Sequence, residues 1–294
     1  ATDATIQRFE SCGLLWGLSA KSIRPNFFTS LYYFCHPLMN PPYWHALILF
    51  SASAVGGVFF FLTKKHATRE IKLVLSFSAA YLLGITLLHL FPELFASEIE
   101  HAGWWVLGGF LLQVILDFFS HGVEHGHAHT HQHDVGTRFL IPVMISLWIH
   151  AFIEGMPFGG TTMIHLHEHG GHVHAGHDHR GSLLLGISFH KVTESIVFAA
   201  LLFQSKLKRS TAILWLTLFA LMAPLGAFTH YFIGESGAVN IEAFTVKVTG
   251  ILIGILLHVS TIILFESDHS HKFNWMKFGS ILLGILLAAS VSMM

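Results

Sequence analysis

His150 and Glu154 are separated by the same spacing as His190 and Glu194. Four residues is close to one turn of an α-helix, so each pair presents an imidazole and a carboxylate on one helix face. Both pairs lie deep in long apolar stretches: at 1.5 Å per residue, His150 is roughly 18 Å past Arg138 and His190 roughly 12 Å past Ser182. Two imidazoles and two carboxylates at one depth suit a divalent first-row ion, zinc most naturally, with iron, manganese and cadmium as alternatives. Imidazole ligands disfavour magnesium and calcium, which prefer oxygen.

Glu154, Glu194 and Lys191 would each cost about 3 kcal/mol at membrane depth, roughly 9 together, when a whole protein is stable by only about 5 to 15 kcal/mol. They need partners, and a dication facing two carboxylates is one arrangement that supplies them. The plainer alternative is that His150 and His190 make interhelical hydrogen bonds while each glutamate pairs locally. One buried histidine would favour that alternative; two repeated pairs on adjacent stretches favour the ion.

A third pair of the same spacing, His89 and Glu93, falls at the outer end of an apolar run, where Pro92 loosens the last turn. It reads as an ion entrance or, equally well, as a polar helix end at the interface. Asp117 and His121 close another run, and His258, Glu266, Asp268, His269 and His271 follow along and beyond a later one. These form either an exit route or a wet helix boundary. Lys247, near a run's start, can snorkel and is given no role.

The elements that must carry these residues are membrane helices. Of the 294 residues 53% are hydrophobic and 11% charged, against about 25% charged in soluble domains. Eight apolar runs are long enough to cross a bilayer, roughly 43–63, 72–91, 103–120, 138–158, 182–203, 211–232, 243–265 and 273–294. They are continuous, whereas barrel strands alternate over about ten residues. The expected class is therefore an all-α, multi-pass integral membrane protein whose partners are the bilayer and divalent ions. A net charge of -1 offers no basic field for nucleic acid, and two cysteines, Cys12 and Cys35, exclude a disulfide scaffold or a thiolate zinc finger.

Lys64, Lys65, Arg69, Lys72, Arg138, Lys206, Lys208, Arg209 and Lys272 all fall in the odd-numbered links, and the even-numbered links hold only Arg180. The odd links are thus the cytoplasmic candidates and both termini face outside. Residues 1–42 mix aromatics with prolines; they are left as an unassigned extracytoplasmic segment from which no signal peptide is read. The remainder, 43–294, reads as one eight-helix unit.

Of 24 histidines, six lie in 121–133 and seven in 165–179, among glycines and without a fixed tetrahedral spacing. Such loops offer many weak sites that collect or sense ions, or are simply solvated. His167, Glu168 and His172 lack the spacing and helix of a metalloprotease, and no phosphate-cradling glycine loop followed by Lys occurs, so neither proteolysis nor ATP-driven transport is expected. Gly155 and Gly159, and Gly250 and Gly254, have the spacing of close helix packing, within one chain or in a homodimer.

The sequence resembles the ZIP (Zrt/Irt-like) family of divalent metal transporters. The resemblance covers roughly 43–294 and is carried by HLFPE at 89–93, HAFIEG at 150–155 followed by Met156, Pro157, Phe158 and Gly159, HKVTES at 190–195, and APLGA at 223–227. It implies eight helices in a three-two-three arrangement, the outer threes related by inverted repetition, with metal between the fourth and fifth. Inverted repeats around a midplane site also suit alternating access. Many relatives carry a further ligand after each motif histidine and a Glu before Pro-Leu-Gly, where this chain has Ala151, Lys191 and Ala223. That difference implies a single-ion centre, with the Lys191 ammonium standing in for a second ion. Thr193 and Ser195 replace the family's usual Pro and Gly, implying a straighter fifth helix.

The combined expectation is a cell-membrane transporter, in an inner or plasma membrane, that moves zinc as substrate into the cytoplasm without an organic cofactor. His150, Glu154, His190 and Glu194 would bind it, His89 and Glu93 receive it, and Asp117, His121 and His258 release it. One rival is a cation-diffusion exporter, which would follow six helices with a soluble metal-binding domain where this sequence has a seventh and an eighth run. Others are an intramembrane metal hydrolase using Glu154 or Glu194 as base and, more weakly, haem ligation by His150 and His190.

Overall fold

A computed structural model describes residues 41–63, 69–97, 99–120, 137–160, 180–205, 207–265 and 274–292. Among these residues the regular structure is entirely helical. Helix α1 spans Pro41–Thr63 and starts with two prolines, which the first turn tolerates because its N–H groups have no helical partner. The second run forms α2, an α-helix over Arg69–Ile85 that widens to a π turn over Thr86–Leu90 and returns to α-helix over Phe91–Ala96. Pro92, expected to loosen the end, instead sits in the first turn of that last segment, downstream of the π turn.

Helix α3 spans Ala102–Ser120, α4 Thr137–Gly155 with a 3-10 turn at Met156–Gly159, and α5 Arg180–Gln204 without interruption. Helices α6 (Arg209–Ser236), α7 (Ile241–Phe265) and α8 (Trp275–Ser292) follow. Their ends show ordinary capping chemistry. Gly237, at φ 63°, closes α6 in the left-handed region. Asn240 Oδ1 accepts from the Ala243 N–H, and Asn274 Oδ1 from those of Met276 and Lys277, starting α7 and α8.

Seven of these helices are long and apolar enough to cross a membrane, and α8 is a shorter apolar helix. The distribution of side chains agrees with a multi-pass membrane protein. Leu62 and Phe118 are more than three-quarters exposed, whereas Ser78, Thr86, Gln113, His150, Glu154, His190 and Lys191 are fully buried. Apolar residues outside and polar ones inside is the order expected when the solvent is hydrocarbon.

Helix α1 packs on α5 and α6, and α4 on α6; α3 packs on α7, and α2 on α8. The backbones of α4 and α5 hardly approach one another. Both glycine pairs are used within the chain. A Cβ at Gly155 or Gly159 would overlap the carbonyls of Ala223 or Ala227 on α6, and one at Gly254 would overlap the Val106 carbonyl on α3. The APLGA segment is thus half of the α4–α6 contact, with Gly226 against the Phe152 carbonyl. Cross-links between less intimate neighbours are polar: Ser146 Oγ donates to the Leu116 carbonyl, and Tyr81 Oη to the Ser182 carbonyl at 3.1 Å.

Candidate metal centre

The continuous helical geometry of α4 and α5 carries each His-x-x-x-Glu pair on one face, and the two faces meet across the space left between the helices. The His150 and His190 rings lie 6.2 Å apart at 76°. One ligand atom each from His150, His190 and Glu194 falls within 4.8 Å of the others. Zinc ligands sit about 2 Å from the ion, hence within about 4 Å of one another. Small side-chain rotations would close the three around an ion.

Glu154 occupies a different place. Its Oε1 is 3.2 Å from His150 Nε2, and its Oε2 is 2.5 Å from Lys191 Nζ. The same ammonium is 2.6 Å from Glu194 Oε2, and so bridges the two carboxylates. All five side chains are at most 1% exposed. Two carboxylates against one ammonium leave an excess negative charge among fully buried side chains, where the attraction for a further cation is strong. Phe219 on α6 lies under the ammonium, 5.3 Å from Nζ to the ring centroid.

Several acceptors point into this space. Neither nitrogen of His190 has a hydrogen-bond partner among the described residues, nor does Glu194 Oε1. Buried polar atoms are normally satisfied. A metal ion would satisfy one imidazole nitrogen and the carboxylate oxygen together. Thr193 turns its hydroxyl back to the His190 carbonyl at 2.8 Å, a bond that fits within an unbroken helix.

The remaining sequence candidates stand apart from this three-residue group. His89 is buried within the π turn and Glu93 is partly buried in the α segment beyond it. Asp117 is partly buried near the end of α3, where its carbonyl accepts from Ser120 Oγ. His258 is buried on α7 with its ring edge-on to Phe110, 5.1 Å between centroids. His121, the residues from Glu266 to His271 and both histidine loops lie outside the described residues. Lys247 is more than a snorkelling cation, since its ammonium lies over the Trp105 ring at 5.4 Å and ties α7 to α3.

One residue of the centre escaped the sequence reading. Gln113 is fully buried on α3, and its Oε1 is 3.0 Å from His150 Nδ1. Its signal was present, a single amide in the apolar run AGWWVLGGFLLQVILDFFS, but nothing local points to its partner. A scan against protein-family models matches none, and a search of curated proteins finds no match either.

Proposed function

We propose that this chain is a ZIP-like transporter that carries divalent metal ions, zinc preferred, across a cell membrane into the cytoplasm. The observation that carries the reading is the enclosed group of His150, His190 and Glu194, with Glu154 and Lys191 beside it, among helices of membrane length. A purely structural network of this kind would be expected to satisfy its own polar atoms; here both nitrogens of His190 and one oxygen of Glu194 are left over.

In this reading the ion binds His150, His190 and Glu194, with Glu154 as the fourth ligand once it leaves the ammonium. Lys191 takes the part of a second ion, a fixed positive charge that both carboxylates share while the centre holds no metal. His89 and Glu93 serve as entrance, and Asp117, His121 and His258 as exit. Both termini are outside, the eight apolar helices form a three-two-three inverted repeat, and the site opens alternately to each side.

The test is zinc uptake into liposomes that hold the purified protein and a trapped zinc dye, with the His150→Ala, His190→Ala double variant as comparison. Uptake should disappear in the variant. Equal uptake by both would refute the centre, and zinc bound stoichiometrically without uptake under any imposed gradient would refute transport.

A further inference from the structure

The two imidazoles of the centre are held in different ways. Thr193 braces the backbone at His190, but both ring nitrogens of His190 are without a hydrogen-bond partner among the described residues. The ring of His150 is held from a third helix, where the Gln113 side-chain oxygen lies 3.0 Å from Nδ1. An amide oxygen only accepts, so this bond places a ring proton on Nδ1, and in the neutral imidazole the Nε2 lone pair then faces inward. Glu154 Oε1 is 3.2 Å from that Nε2. At that distance the two atoms share a proton when the ring is protonated, and a cation that lies against both can take the proton's place.

A ligating histidine generally donates its second ring N–H to an oxygen, which sets the tautomer and ring orientation, and loss of that partner typically weakens metal binding about 10- to 100-fold. We infer that Gln113 is a positioning residue for the metal centre: it holds His150 in the Nδ1–H tautomer, with Nε2 aimed at the ion. This rests on the metal-site reading above. It also assigns α3 a part in the centre, although α3 packs mainly on α7 and supplies no ligand. Helix α4 already meets α3 one turn earlier, through Ser146 and the Leu116 carbonyl, so the register that brings Gln113 opposite His150 is fixed independently of that bond.

The experiment uses the full-length chain in detergent with Co2+ as the ion. The difference in visible absorption between the unmutated protein and His190→Ala isolates the buried centre from the histidine-rich loops. Titrating that band should give a Kd about 10- to 100-fold weaker in Gln113→Leu, and a matching rise in KM for uptake with kcat changed less. Gln113→Glu keeps the accepting oxygen and should stay within about three-fold of the unmutated protein. Should Gln113→Leu fail to fold, Gln113→Met supplies the same loss with an unbranched chain.

An unchanged Kd in the Leu or Met variant would overturn the inference, as would a Glu variant no better than Leu. In the second case the amide is donating its NH2 to Nδ1, and the opposite tautomer holds. Absence of any band that depends on His190 would remove the centre itself and this inference with it. A band that needs His190 yet ignores Gln113 would remove the inference alone.

Discussion

Helices α4 and α5 carry the same four-residue spacing and meet at one centre, yet the two halves are stabilised by different means. On α4, His150 is tied to Gln113 of α3, and Glu154 lies between its own helix's imidazole and the ammonium of the other helix. On α5 the partner of the carboxylate is its own neighbour, Lys191, three residues before Glu194, while His190 keeps both nitrogens unengaged among the described residues. Equal spacing therefore does not make equal ligands. Glu194 belongs to the three-residue group that an ion would join, whereas Glu154 must first exchange its partners. On the proposed reading the α5 half binds, and the α4 half supplies a fixed imidazole and a reserve carboxylate.

Removing both imidazoles breaks the two halves together and has the largest expected effect. Zinc uptake in the liposome assay should fall by at least about 100-fold, since the carboxylates that remain are harder ligands than imidazole and suit manganese better than zinc. Replacing one carboxylate at a time sharpens the contrast. Glu194→Gln should weaken zinc binding about 100-fold and Glu154→Gln about 10-fold, measured by competition with a chelating dye. Equal losses would erase the distinction between ligand and reserve.

Lys191→Met tests the bridge between the halves. Without the ammonium, two buried carboxylates face each other, and breaking a buried pair destabilises by about 3 to 5 kcal/mol. Tm should drop in the metal-free protein and recover largely when zinc is added; an equal drop with and without zinc would deny any exchange between ammonium and ion. The smallest effect is expected at the helix contacts. Gly155→Ala places a methyl group against the Ala223 carbonyl, and overpacking of this kind costs about 1 to 3 kcal/mol, which a thermal melt would resolve while zinc affinity changes less than in the carboxylate variants.

Much of this was legible in the sequence. Apolar length places the helices, and the repeated spacing picks out His150, Glu154, His190 and Glu194, because both are properties of a single segment. What remained hidden depends on which segments become neighbours. Gln113 and His150 are 37 residues apart, and no periodicity in either run refers to the other. Lys191 is conspicuous as a buried charge, but its sharing between two glutamates follows from the turn of α5 toward α4. Pro92 signals a disturbed turn, since it has no N–H for the Leu88 carbonyl, but its sequence position alone does not say that the helix widens to a π turn at Thr86–Leu90 and continues to Ala96. The glycine pairs announced close packing, and only the folded chain shows that α6 and α3 are the surfaces they meet.

The backbones of α4 and α5 are kept apart, and each is seated on a different neighbour. Gly56 of α1 lies against the Val192 carbonyl between the two α5 ligands, and Gly155 lies against α6 directly beside Glu154. On the proposed reading the diameter available to an ion is therefore set from behind the ligands, by how near two flanking helices are allowed to come. On that reading a change of metal preference need not alter any coordinating atom: one methyl group at Gly56 or Gly155 would shift a ligand-bearing helix against its neighbour, a dimension adjustable separately from the ligands' chemistry.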